Sequence, residues 1–247
     1  MKKYNFLVLI VILLLSNCGK SIDDQNVIFG FGLGGFGVVK DNKVKFYQFE
    51  NDSWEEMIQY EFVLPNGYQS VFGLGFGSFR FIMLGVVVDN KVRFYQSGHD
   101  SWEEMEKYEF TLPDNYKSVF GIGYIWIGVV VDDKVRFYAP YYNSGEEMEG
   151  WREMKGELFT LPNGYKNVFR LGLVEFGVVV DDIIKFYRPG QDSWEETKEY
   201  EFLLPNGYKS VFDFVGWVGV VVGNKLLSYQ YSNDIWEEVF KYEFELK

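Results

Sequence analysis

Two residue types that build most metal and redox centres are nearly missing from this 247-residue chain, which holds one cysteine and one histidine. A single cysteine excludes an internal disulfide framework, a cysteine-based zinc site and a two-cysteine redox centre. One histidine leaves no histidine-rich metal site. Basic residues are scarce as well: 24 Lys and Arg stand against 36 Asp and Glu, a net charge of −12. Affinity for nucleic acid comes largely from neutralised phosphates, so nucleic acid is excluded as a partner. Proline is rare at 6, whereas 26 glycines interrupt runs rich in aromatic and β-branched residues. That pattern fits strands and fits neither a helical bundle nor a disordered chain.

Long apolar runs are also few. The clearest, Phe6 to Leu15, follows Lys2 and Lys3. As a helix it spans about 15 Å, half a bilayer core, which is the length of a signal-peptide core and too short to cross a membrane. It leads into Leu15-Ser16-Asn17-Cys18, which resembles a bacterial lipobox with Asn17 where Gly or Ala is usual. The resemblance implies that residues 1–17 are removed as a signal peptide and that Cys18 carries acyl chains of the palmitate kind. Each buried CH₂ adds about 0.8 kcal/mol of membrane affinity, so several chains anchor the protein stably. Residues 18–26 then form the lipidated cysteine and a short polar tether. The expected location is the cell envelope, anchored to a bacterial membrane, with the outer membrane or cell surface favoured.

From Val27 onward one unit is written five times, marked by Trp54, Trp102, Trp151, Trp194 and Trp236. Periods of this size point to propellers or solenoids. Each unit carries four strand signals. In the second unit these are Val71 to Leu74, Gly85 to Val88, Lys91 to Tyr95, and a run from Trp102 through Tyr108 and Phe110 to Leu112. Asp41-Asn42, Asp89-Asn90, Asp132-Asp133, Asp181-Asp182 and Gly223-Asn224 separate the second and third strands, and such pairs favour tight hairpins. Linkers of the Pro-Asn-Gly-Tyr kind end each of the first four units.

The expected fold is therefore all-β: a five-bladed β-propeller with four antiparallel strands per blade over residues 27–247. Blades fall near 27–69, 70–117, 118–166, 167–209 and 210–247. The first unit starts with an inner strand and the last ends with an outer one, so no strand is left over to complete a shared blade. Closure must come from side chains packing between the last blade and the first. An open solenoid of the same units is the competing architecture.

One face of the ring is constant, built from hairpin turns and linkers. The opposite face carries two insertions, at Leu74 to Leu84 in blade two and Ala139 to Gly150 in blade three. In repeat number, repeat length and marker tryptophan the chain resembles the tachylectin-2-like lectin propellers. That resemblance implies glycan binding, but no sugar-binding motif of the family maps onto these residues.

The candidates for chemistry follow from symmetry. His99 stands alone in a polar loop, without a nucleophile partner. Acid pairs such as Glu55-Glu56, Glu103-Glu104, Glu195-Glu196 and Glu237-Glu238 recur after the tryptophan, whereas a glycosidase-like pair should be unique. No cofactor and no metal site is expected. Tyr68, Tyr116, Tyr165 and Tyr208 share the constant rim with Asp89, Asp132 and Asp181, an aromatic plane beside an acceptor that suits a sugar ring. The position after the inner-strand Phe is Gly30, Gly73 and Gly121 in three blades but Arg170 and Asp213 in the last two, a pair expected to meet at the axis. The sequence thus describes an envelope-anchored, monomeric, non-enzymatic binding module. Its expected partners are the membrane, through the lipid, and glycans or other extracellular ligands at repeated rim sites. The alternative is a protein-interaction scaffold or adhesin using the inserted loops, with an envelope or host protein as partner. A glycoside hydrolase-like enzyme is the remaining reading.

Overall fold

The computed structural model describes residues 27–31, 35–50, 52–74, 82–98, 101–122, 126–144, 147–154, 157–171, 175–190, 193–214, 217–239 and 243–246. Cys18 with its leader and tether, His99, and most of the Leu74 to Leu84 insertion lie outside these residues.

Five antiparallel sheets form, each from one contiguous stretch of chain. Their innermost strands are Val27–Phe31, Tyr68–Leu74, Tyr116–Ile122, Tyr165–Leu171 and Tyr208–Phe214. Each touches the inner strand of the next blade, and the last touches the first. This is a closed five-bladed β-propeller, and among the described residues no strand is exchanged between the first blade and the last.

The turn chemistry explains the hairpins. Asp41, Asn42, Asp89 and Asn90 adopt φ of 51°, 61°, 50° and 60°, the left-handed values that a tight two-residue turn demands. The linker turns need the same freedom at one position, supplied by Gly67, Gly164 and Gly207 and, in blade two, by Asn115 at φ 62°.

Within each blade the inner-strand Phe lies opposite a glycine of the second strand. The pairs are Phe29 and Gly37, Phe72 and Gly85, Phe120 and Gly128, Phe169 and Gly177, and Phe212 and Gly219. A methyl group on Gly85 would sit 2.2 Å from the Phe72 ring. The missing side chain is therefore the seat of the ring, which lies flat across the sheet.

The run from Trp102 to Leu112 was expected as one outer strand, and the structure corrects this. Trp102–Glu104 and Phe110–Thr111 pair separately with the third strand Lys91–Ser97, and a 3₁₀ turn at Glu106–Tyr108 stands between them. Glu104 faces Tyr95 and Phe110 faces Val92, so six steps of outer chain meet three steps of partner. The surplus residues cannot stay in the ladder and coil into the turn. Even spacing survives the coil, which is why the periodicity looked uninterrupted.

Five apolar clusters fill the five seams between blades. In each, the marker tryptophan reaches back to the preceding blade. The Trp102 indole stacks 5.5 Å from Phe46, and its Nε1 donates to the Tyr60 carbonyl at 3.1 Å. Trp151, Trp194 and Trp236 donate likewise to the carbonyls of Tyr108, Glu157 and Tyr200, at 3.0, 2.9 and 2.9 Å. The 3₁₀ turns at Ile58–Tyr60, Glu106–Tyr108 and Lys198–Tyr200 present three of these carbonyls to the following blade. At the closing seam Phe36 meets Phe212 at 6.4 Å and Phe244 at 5.1 Å, so side chains close the ring.

The blade-three insertion is a second surprise. Most of it extends the sheet: Lys134–Tyr142 pairs with Met148–Glu153 to make a longer outer hairpin. An insertion expected as loop is largely ladder.

Candidate functional site

The constant rim is built from a local irregularity repeated in four blades. Tyr68 faces Val88 while Ser70 faces Val87, which leaves Gln69 as the extra residue of a β-bulge. The same slip leaves Lys117, Lys166 and Lys209 extra in the next three blades. Bulges re-aim side chains and occur often beside binding sites. All four bulged residues are exposed.

Three of the four, Gln69, Lys117 and Lys166, meet the rim tyrosine of the following blade. The Tyr116 hydroxyl donates to Gln69 Oε1 at 2.8 Å. Lys117 Nζ lies 5.9 Å from the Tyr165 ring centre, within cation–π range. Lys166 couples to Tyr208, and that phenol together with Asp182 pushes the lysine above its ordinary value, the hydrogen bond to Asp182 being the largest cause. The sequence singled out the tyrosines but not the bulged residues beside them, because nothing in Tyr-Gln-Ser or Tyr-Lys-Ser marks a bulge.

Asp89, Asp132 and Asp181 are exposed in the hairpin turns of the same rim. The tyrosines reach the turn of the preceding blade through its backbone: Tyr165 donates to the Asp132 carbonyl at 3.3 Å and Tyr208 to the Asp181 carbonyl at 3.2 Å. Tyr68 is half-buried, and burial raises its phenol. These hydroxyls brace neighbouring blades, while the carboxylates stay in solvent.

Two hollows share lining residues at blades four and five. A cavity of about 220 Å³ lies on the axis, with residues of all five inner strands around it. A cleft of about 370 Å³ opens at the rim between Lys166 and Lys209. Asn167, Ser210 and Val211 line both.

Arg170 and Asp213 meet at the axis as their positions suggested, with Nε 3.6 Å from Oδ2 and side-chain exposures of 12% and 6%. Burial lowers the Arg170 guanidinium from its ordinary value, and Asp213 opposes that shift. On the other side of the axis the backbones nearly touch. A methyl group on Gly73 would lie 2.1 Å from the Gly30 carbonyl oxygen, and one on Gly121 would lie 2.5 Å from that of Gly73.

In three blades the second glutamate of the repeated acid pair meets a cation. Lys45 donates to Glu56 at 2.8 Å and Lys185 to Glu196 at 2.9 Å, while Arg93 approaches Glu104 at 3.9 Å. Each partner cation sits on the third strand of the same blade. Among the described residues no group of three His, Cys, Asp or Glu is placed to hold a metal ion.

On the opposite face the blade-three hairpin exposes Tyr141 and Tyr142, at 44% and 40%. Arg152 lies 5.8 Å over the Tyr141 ring. The Tyr142 phenol is pushed up to about 12, first by burial and then by its hydrogen bond to Tyr108.

No protein-family model matches the chain, and no curated protein matches it. Solved structures that it resembles include KlHsv2 with loop 6CD replaced by a Gly-Ser linker, at 11% identity and a TM-score of 0.48. That match covers 90% of this chain and 99% of the other. Another is Kluyveromyces lactis Hsv2 with complete loop 6CD, at 13% identity and a TM-score of 0.43, where 90% of this chain spans 63% of the other. The architecture rests on the ring of five sheets in this chain itself.

Proposed function

We propose that the protein is a non-enzymatic binding module, held at the bacterial cell envelope by acylated Cys18, that engages glycans along its constant rim. A propeller of this kind fits a binding or scaffold role. The observation that carries the finer reading is the unit of bulged residue and tyrosine, which recurs at three consecutive seams: Gln69 with Tyr116, Lys117 with Tyr165, and Lys166 with Tyr208. Each offers polar donors beside an aromatic ring, the combination that a sugar uses through its hydroxyls and its apolar face. Weak sites repeated around a rigid ring on a membrane surface gain through multivalency. The near-identical recurrence of the acid pairs from blade to blade, with Glu56 and Glu196 each held by a strand lysine, supports a structural role for them.

The test is a glycan-binding screen on the detergent-purified protein, comparing the wild type with Lys117→Ala and Lys166→Ala. Binding that falls in these variants supports the reading. Unaltered glycan binding, or none to any glycan, overturns it. Membrane attachment is tested separately: Cys18→Ser should shift the protein from the membrane fraction to the soluble one.

One observation favours a second reading, a protein-interaction scaffold. Tyr141, Tyr142 and Arg152 cluster on the extended hairpin, and such residue types dominate interface hot spots. If that reading holds, Tyr141→Ala with Tyr142→Ala removes a protein partner and leaves glycan binding intact.

A further inference from the structure

The hub is not five-fold. Blades one to three contribute Gly30, Gly73 and Gly121, with backbones too close for any side chain between the first pair and the second. Among the described residues, the polar side chains lining the axial cavity, namely Asn167, Arg170, Ser210 and Asp213, all come from blades four and five. The rim cleft at that same seam shares Asn167 and Ser210 with the cavity. Lys166 and Lys209, both placed at bulges, stand at its mouth.

We propose that this seam is a single asymmetric pocket for an acidic monosaccharide, entered at the constant rim and floored by Arg170 and Asp213. This rests on the glycan reading and gives this one seam a preference for acidic sugars that the other rim units lack. Size limits the ligand, because about 220 Å³ lies below the range of roughly 300–1,000 Å³ typical of drug-sized sites. Polarity gives the orientation. The ion pair of Arg170 and Asp213 offers a fixed donor and acceptor to ring hydroxyls, while Ile28 and Val71 form an apolar wall. Charge selects the acid. Three cations, Lys166, Lys209 and Arg170, gather at this seam, where Lys166 pairs with Asp182 and Arg170 with Asp213, in a chain whose net charge is −12. The sugar carboxylate lies toward the lysines and the hydroxyls toward the ion pair.

The experiment is calorimetric titration of the full-length protein with glucuronate, glucose and acetate, alongside Lys166→Ser with Lys209→Ser, and Arg170→Gln with Asp213→Asn. The expected result is one glucuronate per chain, bound at least about tenfold more tightly than glucose and weakened by salt. The lysine variant should reduce that preference about tenfold, and the axial variant should weaken both sugars. The lysines are exposed, so their variant reports on the pocket even if the axial variant does not fold. Several equivalent glucuronate sites per chain, or glucuronate binding unchanged by the lysine variant, overturns the pocket and leaves the glycan reading standing. Acetate competing as well as glucuronate reduces the site to a simple anion site and overturns the sugar assignment. No binding of glucose or glucuronate overturns the pocket alone when the screen finds other glycans, and both readings when it finds none.

Discussion

The ring of Trp54, in the first blade, lies 6.4 Å from that of Phe244, in the last, the two set nearly perpendicular at 78°. With Phe36 wedged beside both, this contact joins the chain's two ends without a shared strand. Closure therefore depends on a small aromatic cluster. Phe36 is fully buried, and Phe36→Ala should cost about 3–5 kcal/mol in urea unfolding. Ending the chain at Gly207 should abolish cooperative unfolding altogether, whereas an open array would only become shorter and less stable.

The tryptophan bonds are separable from tryptophan packing. Trp151→Phe keeps a ring against Phe94 but leaves the Tyr108 carbonyl without its indole donor. The expected loss is about 1–3 kcal/mol, read by chemical denaturation.

The glycine seats make a steric prediction. Gly128→Ala places a methyl group 2.4 Å from the Phe120 ring, which must leave its flat position. A destabilisation of about 1–3 kcal/mol is expected by thermal unfolding. Adding Phe120→Leu should recover part of it.

Alkaline pH should unfold the ring. In every blade a tyrosine of the third strand faces a glutamate: Tyr47 and Glu56, Tyr95 and Glu104, Tyr138 and Glu153, Tyr187 and Glu196, Tyr229 and Glu238. Burial raises each of these phenols first and the glutamate second, and Tyr229 is pushed up to about 12. A phenol raised in the folded state contributes stability fully below its unfolded value near 10, and that contribution disappears as pH climbs through the folded value. Stability should fall between about pH 10 and 12, measured by denaturation at stepped pH. Glu238→Gln should bring the Tyr229 titration to lower pH.

Much of the architecture was written in local chemistry. The Asp-Asn turns, the linker glycines and the spaced tryptophans each announce themselves by residue type, and the count of blades follows. The meeting of Arg170 and Asp213 was legible too, because equivalent positions in neighbouring blades must approach at the axis. Other features left no such mark. Gln69 and Lys117 become bulged residues through a register slip that no residue type signals. The coil at Glu106–Tyr108 hides within unbroken even spacing. That axial cavity and rim cleft share Asn167 and Ser210 depends on how two blades pack together, which is not a property of either strand alone.

The close approach of Gly30, Gly73 and Gly121 has a mechanical consequence. With backbone nearly against backbone, the first three blades form a stiff arc with no slack to yield. Any widening of the hub must then concentrate where side chains separate the strands, beside Arg170 and Asp213. Enlarging one of those glycines would act as a wedge, distorting the far side of the ring from a distance.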